Sequence, residues 1–219
     1  MKQAVFKRGA RWRCRYVAVA LAATLALAGC ANLQHSPPAG SMQVVPHAYS
    51  ESVDIGGRFT AQFQRSAKPE SWSGNFTWAQ TPQATTVTLQ SPLGQTVATI
   101  VVDADHATLT QSDQAPRSAA NVDALVEQAL GWPLPISNLR DWLQAYAVDA
   151  AGTRILATPA TTATIATRDG WRIKYLTWQD DNDVGMQNVP KRIDMERDTA
   201  EAGKVAMRLI VTSWQAHTN

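Results

Sequence analysis

The groups able to do chemistry in this 219-residue chain are few and scattered. His35, His47, His106 and His217 stand far apart with no H-x-x-x-H or Cys/His spacing, so a zinc centre, which needs three or four converging ligands, has no support. There is no G-x-S-x-G elbow and no phosphate-binding loop, and Ile55-Gly56-Gly57-Arg58 is too short to form one. Asp180-Asp181-Asn182-Asp183 is a run of oxygen ligands. Calcium loops space their carboxylates at alternate positions and close with a glutamate, so this run reads as a solvated hairpin loop. Asp123 and Glu127 share one face of a helix, where surface charge is a simpler reading than a general acid–base pair. No catalytic residue, metal or cofactor is nominated, and the chain is not read as an enzyme.

One residue does invite covalent chemistry. Lys2, Lys7, Arg8, Arg11, Arg13 and Arg15 precede an apolar run from Tyr16 to Ala28, with no acidic residue among them. A run of about 13 residues has the proportions of a secretory signal and falls short of a membrane span of about 20. It ends in Leu27-Ala28-Gly29-Cys30, which resembles a lipobox: small residues suit the signal peptidase, the Cys30 thiol takes a diacylglyceryl group, and cleavage frees its amine for a further acyl chain. Two or more chains anchor firmly, at roughly 0.8 kcal/mol per buried methylene. Ala31 follows the cysteine in place of the aspartate that retains lipoproteins in the inner membrane, so sorting to the outer membrane is expected.

Cleavage before Cys30 changes the charge argument. Six of the 20 Lys+Arg and none of the 18 Asp+Glu lie in the leader, leaving 14 against 18, a balance of −4. The basic character belongs to the leader, and nucleic-acid binding loses its compositional support. Of the two cysteines, Cys14 leaves with the signal and lipid consumes Cys30, so no disulfide can form. The expected organisation is a signal peptide over 1–29, a lipidated cysteine and flexible tether rich in Pro, Ser and Gly over 30–42, and one domain over 43–219, acting as a monomer.

In that domain, apolar and polar residues alternate with period two between Gly, Pro, Asp and Asn punctuation. Strands are expected at Arg58–Gln64, Asn75–Ala79, Thr85–Gln90, Gln95–Val102 and Ala107–Gln111, and later at Arg154–Thr158, Ala163–Arg168, Trp171–Trp178, Arg192–Glu196 and Lys204–Trp214. Asn121 caps a helix over Val122–Leu130 that Gly131 ends. Ser137 or Asn138 caps a second, running to about Tyr146, and a weaker helix covers Val44–Val53. The fold class is mainly β with a few helices: ten or eleven antiparallel strands curled into a barrel or half-barrel. Two or three short helices cannot cover one whole face of such a sheet, which leaves room for an apolar concavity.

Three stretches carry a resemblance. They are Ser91-Pro92-Leu93-Gly94-Gln95-Thr96; Gly131-Trp132-Pro133-Leu134-Pro135-Ile136 running into Asn138-Leu139-Arg140-Asp141-Trp142-Leu143; and Asp169-Gly170-Trp171-Arg172-Ile173-Lys174-Tyr175, with a later Pro190 strand and a closing Trp214. In this order, from about Arg58 to Trp214, the chain resembles the LolB family of outer-membrane lipoprotein insertion factors. The loop opens with Ser91 where the family has asparagine.

The resemblance implies an unclosed antiparallel β-barrel with helices over its opening and a hydrophobic cavity for acyl chains. It further implies an outer-membrane lipoprotein that accepts lipoproteins from the periplasmic carrier LolA and inserts them into the inner leaflet of the outer membrane. Phe63, Phe76, Trp78, Leu89, Val101, Leu125, Trp142, Ile173 and Tyr175 occupy the apolar phase of their elements and are the candidate cavity lining. Leu93 sits in a turn between two strands with no face to bury into; the resemblance gives it contact with outer-membrane lipid. Two other readings compete: a scaffold for envelope assembly with a filled core, and a lipoprotein hydrolase with a dispersed site.

Overall fold

Strict alternation builds the first strand, β1 (Val53–Arg65), where Val53, Ile55, Phe59, Ala61 and Phe63 are buried and the residues between them face out. The computed structural model describes residues 48–66, 68–112, 114–179 and 189–217. All belong to the unit Val44–Asn219. Cys30, the leader, the tether, His35, His47, Asp180–Asp183 and Gly185–Asn188 lie outside the described residues.

The meander continues through β2 (Lys68–Gln80), β3 (Thr85–Gln90), β4 (Thr96–Val102), β5 (Ala107–Gln111) and β6 (Gln114–Ala119). Helices α1 (Val122–Leu130) and α2 (Ile136–Trp142) follow, then the short pair β7 (Tyr146–Val148) and β8 (Arg154–Leu156), and finally β9 (Ile165–Ala166), β10 (Arg172–Trp178), β11 (Pro190–Thr199) and β12 (Gly203–Ala216). Ten strands form one antiparallel sheet in the order β6-β5-β4-β3-β2-β1-β12-β11-β10-β9. Its edges β6 and β9 are not paired with each other, so the barrel is unclosed. A bulge in β1 at Gly56/Gly57 against β12 helps it curl. Glycine is required there, because a Cβ at Gly57 would meet the Ile210 carbonyl and lie 2.7 Å from the Phe76 ring.

Both helices cover the inner face. Asn121 caps α1 by accepting the Ala124 N–H at 2.9 Å, and Gly131 closes it on the Glu127 carbonyl. Val122, Leu125, Val126 and Leu130 form its buried stripe. At its far end Arg65 donates to the Leu130 carbonyl at 2.9 Å, tying the helix to the end of β1.

Helix α2 departs from expectation at both ends. It starts at Ile136 with Pro135 at the cap position, and Ser137 donates its N–H and hydroxyl to the Asp123 carboxylate instead of capping. It stops at Trp142 because Ala145 turns left-handed, with φ 65°, and sends the chain into β7.

The expected helix at Val44–Val53 is also corrected where it is described. Residues 48–52 form no helix: the fully buried Gln144 side chain accepts the Ser50 N–H at 2.8 Å and donates to its carbonyl at 3.0 Å, and Val53 already begins β1. β6 escaped expectation because all but its last residue are exposed and Pro116 interrupts it.

Trp78, Trp132, Trp142 and Trp171 are nearly completely enclosed. Trp142 meets Trp171 edge-on at 6.1 Å, Phe63 stacks on Trp132 at 5.5 Å, and the Tyr175 hydroxyl donates to the Trp142 carbonyl at 3.0 Å. The sheet's inner face, the two helices and the segment between them make one continuous core.

Candidate functional site

Between the sheet and the helices lies an apolar crevice. Its walls include Phe59, Phe76 and Trp78 from β1 and β2, Val87 and Leu89 from β3, and Met207 and Leu209 from β12. Trp132, Leu134, Ile136, Leu139 and Leu143 close it from the helix side. Every strand contribution follows from alternation. The helix-side wall follows from the chain crossing between α1 and α2, where two prolines keep Trp132-Pro133-Leu134-Pro135 out of helix. Only about 20 Å³ remains open in this crevice, space for about one water. The expected concavity is nearly filled by its own side chains.

Three of the sequence-nominated residues, Phe76, Trp78 and Leu89, line this crevice. Phe63 stacks against its wall residue Trp132. Leu125, Trp142, Ile173 and Tyr175 are buried in the wider core without bordering the crevice. Val101 is corrected: β4 buries Ala98 and Ile100, so alternation turns Val101 outward, where it is 37% exposed.

Phe59, Val87 and Leu209 were missed although they share the phase of the chosen residues, and that phase would have found them. Trp132 and Leu134 carry no periodic signal, and only tertiary packing reveals them.

A second cleft, of about 220 Å³, shares Trp78 and Ile136 with the crevice. Its remaining lining mixes Val102 and Val122 with the polar Gln83, Asp103, Ser137 and Arg140. An apolar interior therefore adjoins a polar-rimmed hollow. The Asp103 carboxyl is held below the ordinary carboxylate value by the backbone N–H groups of His106 and Asp105, at 2.9 and 3.0 Å, so it stays charged at the rim. Arg140 reaches Glu51 at 3.0 Å and the Tyr49 hydroxyl at 3.3 Å.

A larger hollow, of about 320 Å³, lies over outward-facing residues of β10, β11 and β12. Most of its charged groups are paired. Arg172 pairs with Glu196 and Asp198, both at 2.9 Å, and Arg192 and Arg208 flank Asp194 at 2.7 and 3.2 Å. Burial pushes the Asp194 carboxyl up, but the two guanidinium groups outweigh it and hold it below its ordinary value. This is a braced outer surface rather than a reaction centre.

The turn between β3 and β4 is the opposite kind of feature. Gly94 N–H donates to the Ser91 carbonyl at 2.9 Å, and Ser91 N–H donates to the Gln95 carbonyl at 2.8 Å. Pro92 at the second position and left-handed Gly94, with φ 85°, suit a tight turn followed by a one-residue bulge. The Ser91 hydroxyl accepts the Gln95 N–H at 3.2 Å, and the Asn75 amide donates to the Ser91 carbonyl at 3.3 Å. Ser91 thus supplies the side-chain acceptor that asparagine supplies in such turns. Leu93, at the tip, is 89% exposed. The turn is pinned while its leucine is left in water.

The chain is similar to known proteins. The family profile of the outer membrane lipoprotein LolB matches residues 54–214. An outer-membrane lipoprotein LolB of Cupriavidus metallidurans is 35% identical over 199 residues, covering 90% of this chain and 95% of its own. One of Bordetella petrii is 36% identical over 172 residues, covering 77% and 81%. Among solved structures, a LolA superfamily protein of Nitrosomonas europaea aligns over 80% of this chain and 90% of its own, with a TM-score of 0.43 and 8% identity. With a profile match that runs from the second residue of β1 to Trp214 in β12, the chain belongs to the LolB family of outer-membrane lipoproteins.

Proposed function

We propose that this protein accepts lipoproteins from the carrier LolA, holds their acyl chains between its sheet and its helices, and inserts them into the inner leaflet of the outer membrane. Cys30 carries the lipid anchor and Leu93 touches the bilayer. The single observation that carries the reading is Leu93, 89% exposed on a turn braced by hydrogen bonds on both sides. An unrestrained leucine would fold back on the nearest apolar surface; this one is held away from it.

The acyl chains of a lipoprotein carry dozens of methylenes, each worth roughly 0.8 kcal/mol when removed from water. A carrier or acceptor must therefore shield them across an aqueous space. The crevice between the sheet and α2 is wholly hydrocarbon apart from the two indoles of Trp78 and Trp132 and the Met207 thioether, but about 20 Å³ cannot hold a chain. Binding requires the helices and the Trp132–Pro135 segment to lift from the sheet. That displaces native packing, so part of the burial energy of the cargo is offset on entry and recovered on release. An acceptor that has to hand its cargo on benefits from this, because transfer without a nucleotide can only run down a gradient of binding free energy.

The test is transfer. The full chain carrying Cys30→Ala is mixed with LolA loaded with a labelled lipoprotein, and movement of the label is followed, first between the proteins and then into liposomes. Acceptance by the unlipidated protein is expected. Leu93→Glu should accept as well as the unmodified loop but deliver nothing to the liposomes. Absence of transfer from LolA overturns the acceptor reading, and normal delivery by Leu93→Glu overturns the role of the turn.

A further inference from the structure

Trp132 is 1% exposed, stacked on Phe63, and its Nε1–H has no hydrogen-bond acceptor among the described residues. That is unusual, because buried donors in folded proteins are nearly always partnered. The crevice's other tryptophan behaves ordinarily: the Trp78 indole donates to the Gln80 side-chain oxygen at 3.2 Å. Trp132 also forms part of the crevice wall. The unmatched donor therefore belongs to a wall residue of the interior region that a ligand would enter under the function proposed above.

The surroundings narrow what could satisfy it. A trapped water needs two to four polar partners. The other side chains of the crevice, among them Phe59, Leu89, Leu134, Leu139 and Met207, carry no strong donor or acceptor, and the Trp78 N–H is already committed to Gln80, so among the described side chains a water would find Trp132 alone. A fixed polar side chain from the protein is also absent from this lining. What fits is a molecule whose body is hydrocarbon and which carries a single strong acceptor on it. A fatty-acyl group is built that way, with one carbonyl at the head of a long chain.

We infer that Trp132 is a specificity-determining anchor whose indole N–H donates to the ester or amide carbonyl of a bound acyl group. It sets how deep the chain sits in the crevice and makes the site prefer acylated molecules over plain hydrocarbon. The inference rests on the acyl-binding reading above. Stacking on Phe63 holds the ring, so the donor is in place before the ligand arrives and costs little to orient. In the closed crevice the donor is unmet, which favours exchanging the closed packing for a bound carbonyl.

The experiment measures binding of three probes with the same chain length, hexadecane, methyl palmitate and N-methylpalmitamide, to the full chain carrying Cys30→Ala, by displacement of a hydrophobic fluorophore. The ester and amide arms separate the two kinds of acyl linkage. The unmodified crevice should bind both carbonyl probes about tenfold more tightly than hexadecane, as one added hydrogen bond implies. Trp132→Phe keeps a ring against Phe63 and removes the donor; its preference should fall to within about twofold, with hexadecane binding retained.

A second measurement needs no change at Trp132. The indole N–H resonance of Trp132 should move downfield when the ester or amide binds and stay in place with hexadecane. An unmoved resonance with both carbonyl probes, or an unchanged preference in Trp132→Phe, overturns the role of Trp132 while hexadecane binding leaves the acyl-binding reading intact. Binding of none of the three overturns both.

Discussion

Leu89 and Leu93 lie four residues apart on one hairpin, yet the first is 6% exposed and the second 89%. Leu89 belongs to the inward phase of β3 and packs into the crevice with Phe76, its partner across the strand pair. Leu93 sits beyond the strand's end, where Pro92 and Gly94 set the turn and backbone hydrogen bonds hold it. Apolar character alone therefore says little about role. In the crevice an apolar residue contributes packing, and its removal should destabilise the protein. At the turn it contributes nothing to the fold, and its removal should leave stability untouched while changing what the surface touches.

Trp78→Ala removes a fully enclosed ring that borders both the crevice and the adjoining cleft. A loss of about 3–5 kcal/mol is expected, read as a lower denaturant midpoint. A loss below about 1 kcal/mol would mean that the crevice walls collapse readily and are not the rigid side of the comparison.

Tyr175 makes the buried core sensitive to pH. Burial, and then the nearby Asp141 charge, push its phenol far above the ordinary value. The unfolded chain ionises near pH 10, whereas the folded chain keeps its proton, so this contribution to stability is present below about pH 10 and is lost as pH rises above it. Tyr175→Phe also forfeits the bond to the Trp142 carbonyl, a cost of about 1–2 kcal/mol at neutral pH. The gap between the variant and the unmodified protein should narrow as the pH of the unfolding titration is raised from 8 to 11; a constant gap would contradict the linkage.

At the turn the effects should be small. Gly94→Ala places a Cβ in the left-handed region and should cost about 1–2 kcal/mol, although nothing within 4 Å would clash with it. Thermal melting measures this, and a neutral result would show the turn to be adaptable rather than braced. Smallest of all, Leu93→Glu should shift stability by no more than about 0.5 kcal/mol, while the liposome assay registers a complete loss of delivery. A strongly destabilised Leu93→Glu would place Leu93 with the crevice residues after all.

Much of the architecture was legible because strand phase is a local property. The alternation expected in Arg58–Gln64, Thr85–Gln90 and Trp171–Trp178 matches the buried face of β1, β3 and β10, and the Asn121 and Gly131 caps bound α1. Val101 was not legible locally: in Ile100-Val101-Val102 three β-formers follow one another, and only the pairing with β3 and β5 decides which is inward. The end of α2 was illegible for a related reason. Leu143 and Tyr146 continue a helical stripe, but Ala145 adopts a left-handed conformation that no residue type there announces.

Local sequence sufficed for the run of antiparallel strands, the capped α1 and the Leu93 turn, because alternation, caps and Pro-x-Gly chemistry act over a few neighbouring residues; that the sheet stays open follows only from β6 and β9 lying at its opposite edges. The tertiary structure alone decided how full the concavity is. Trp132 and Leu134 lie in an aperiodic segment, and their positions follow from the distance between sheet and helices, set by side chains more than fifty residues apart in the chain. Packing across such separations determined that the crevice is closed to about 20 Å³ and that one indole N–H inside it has no partner.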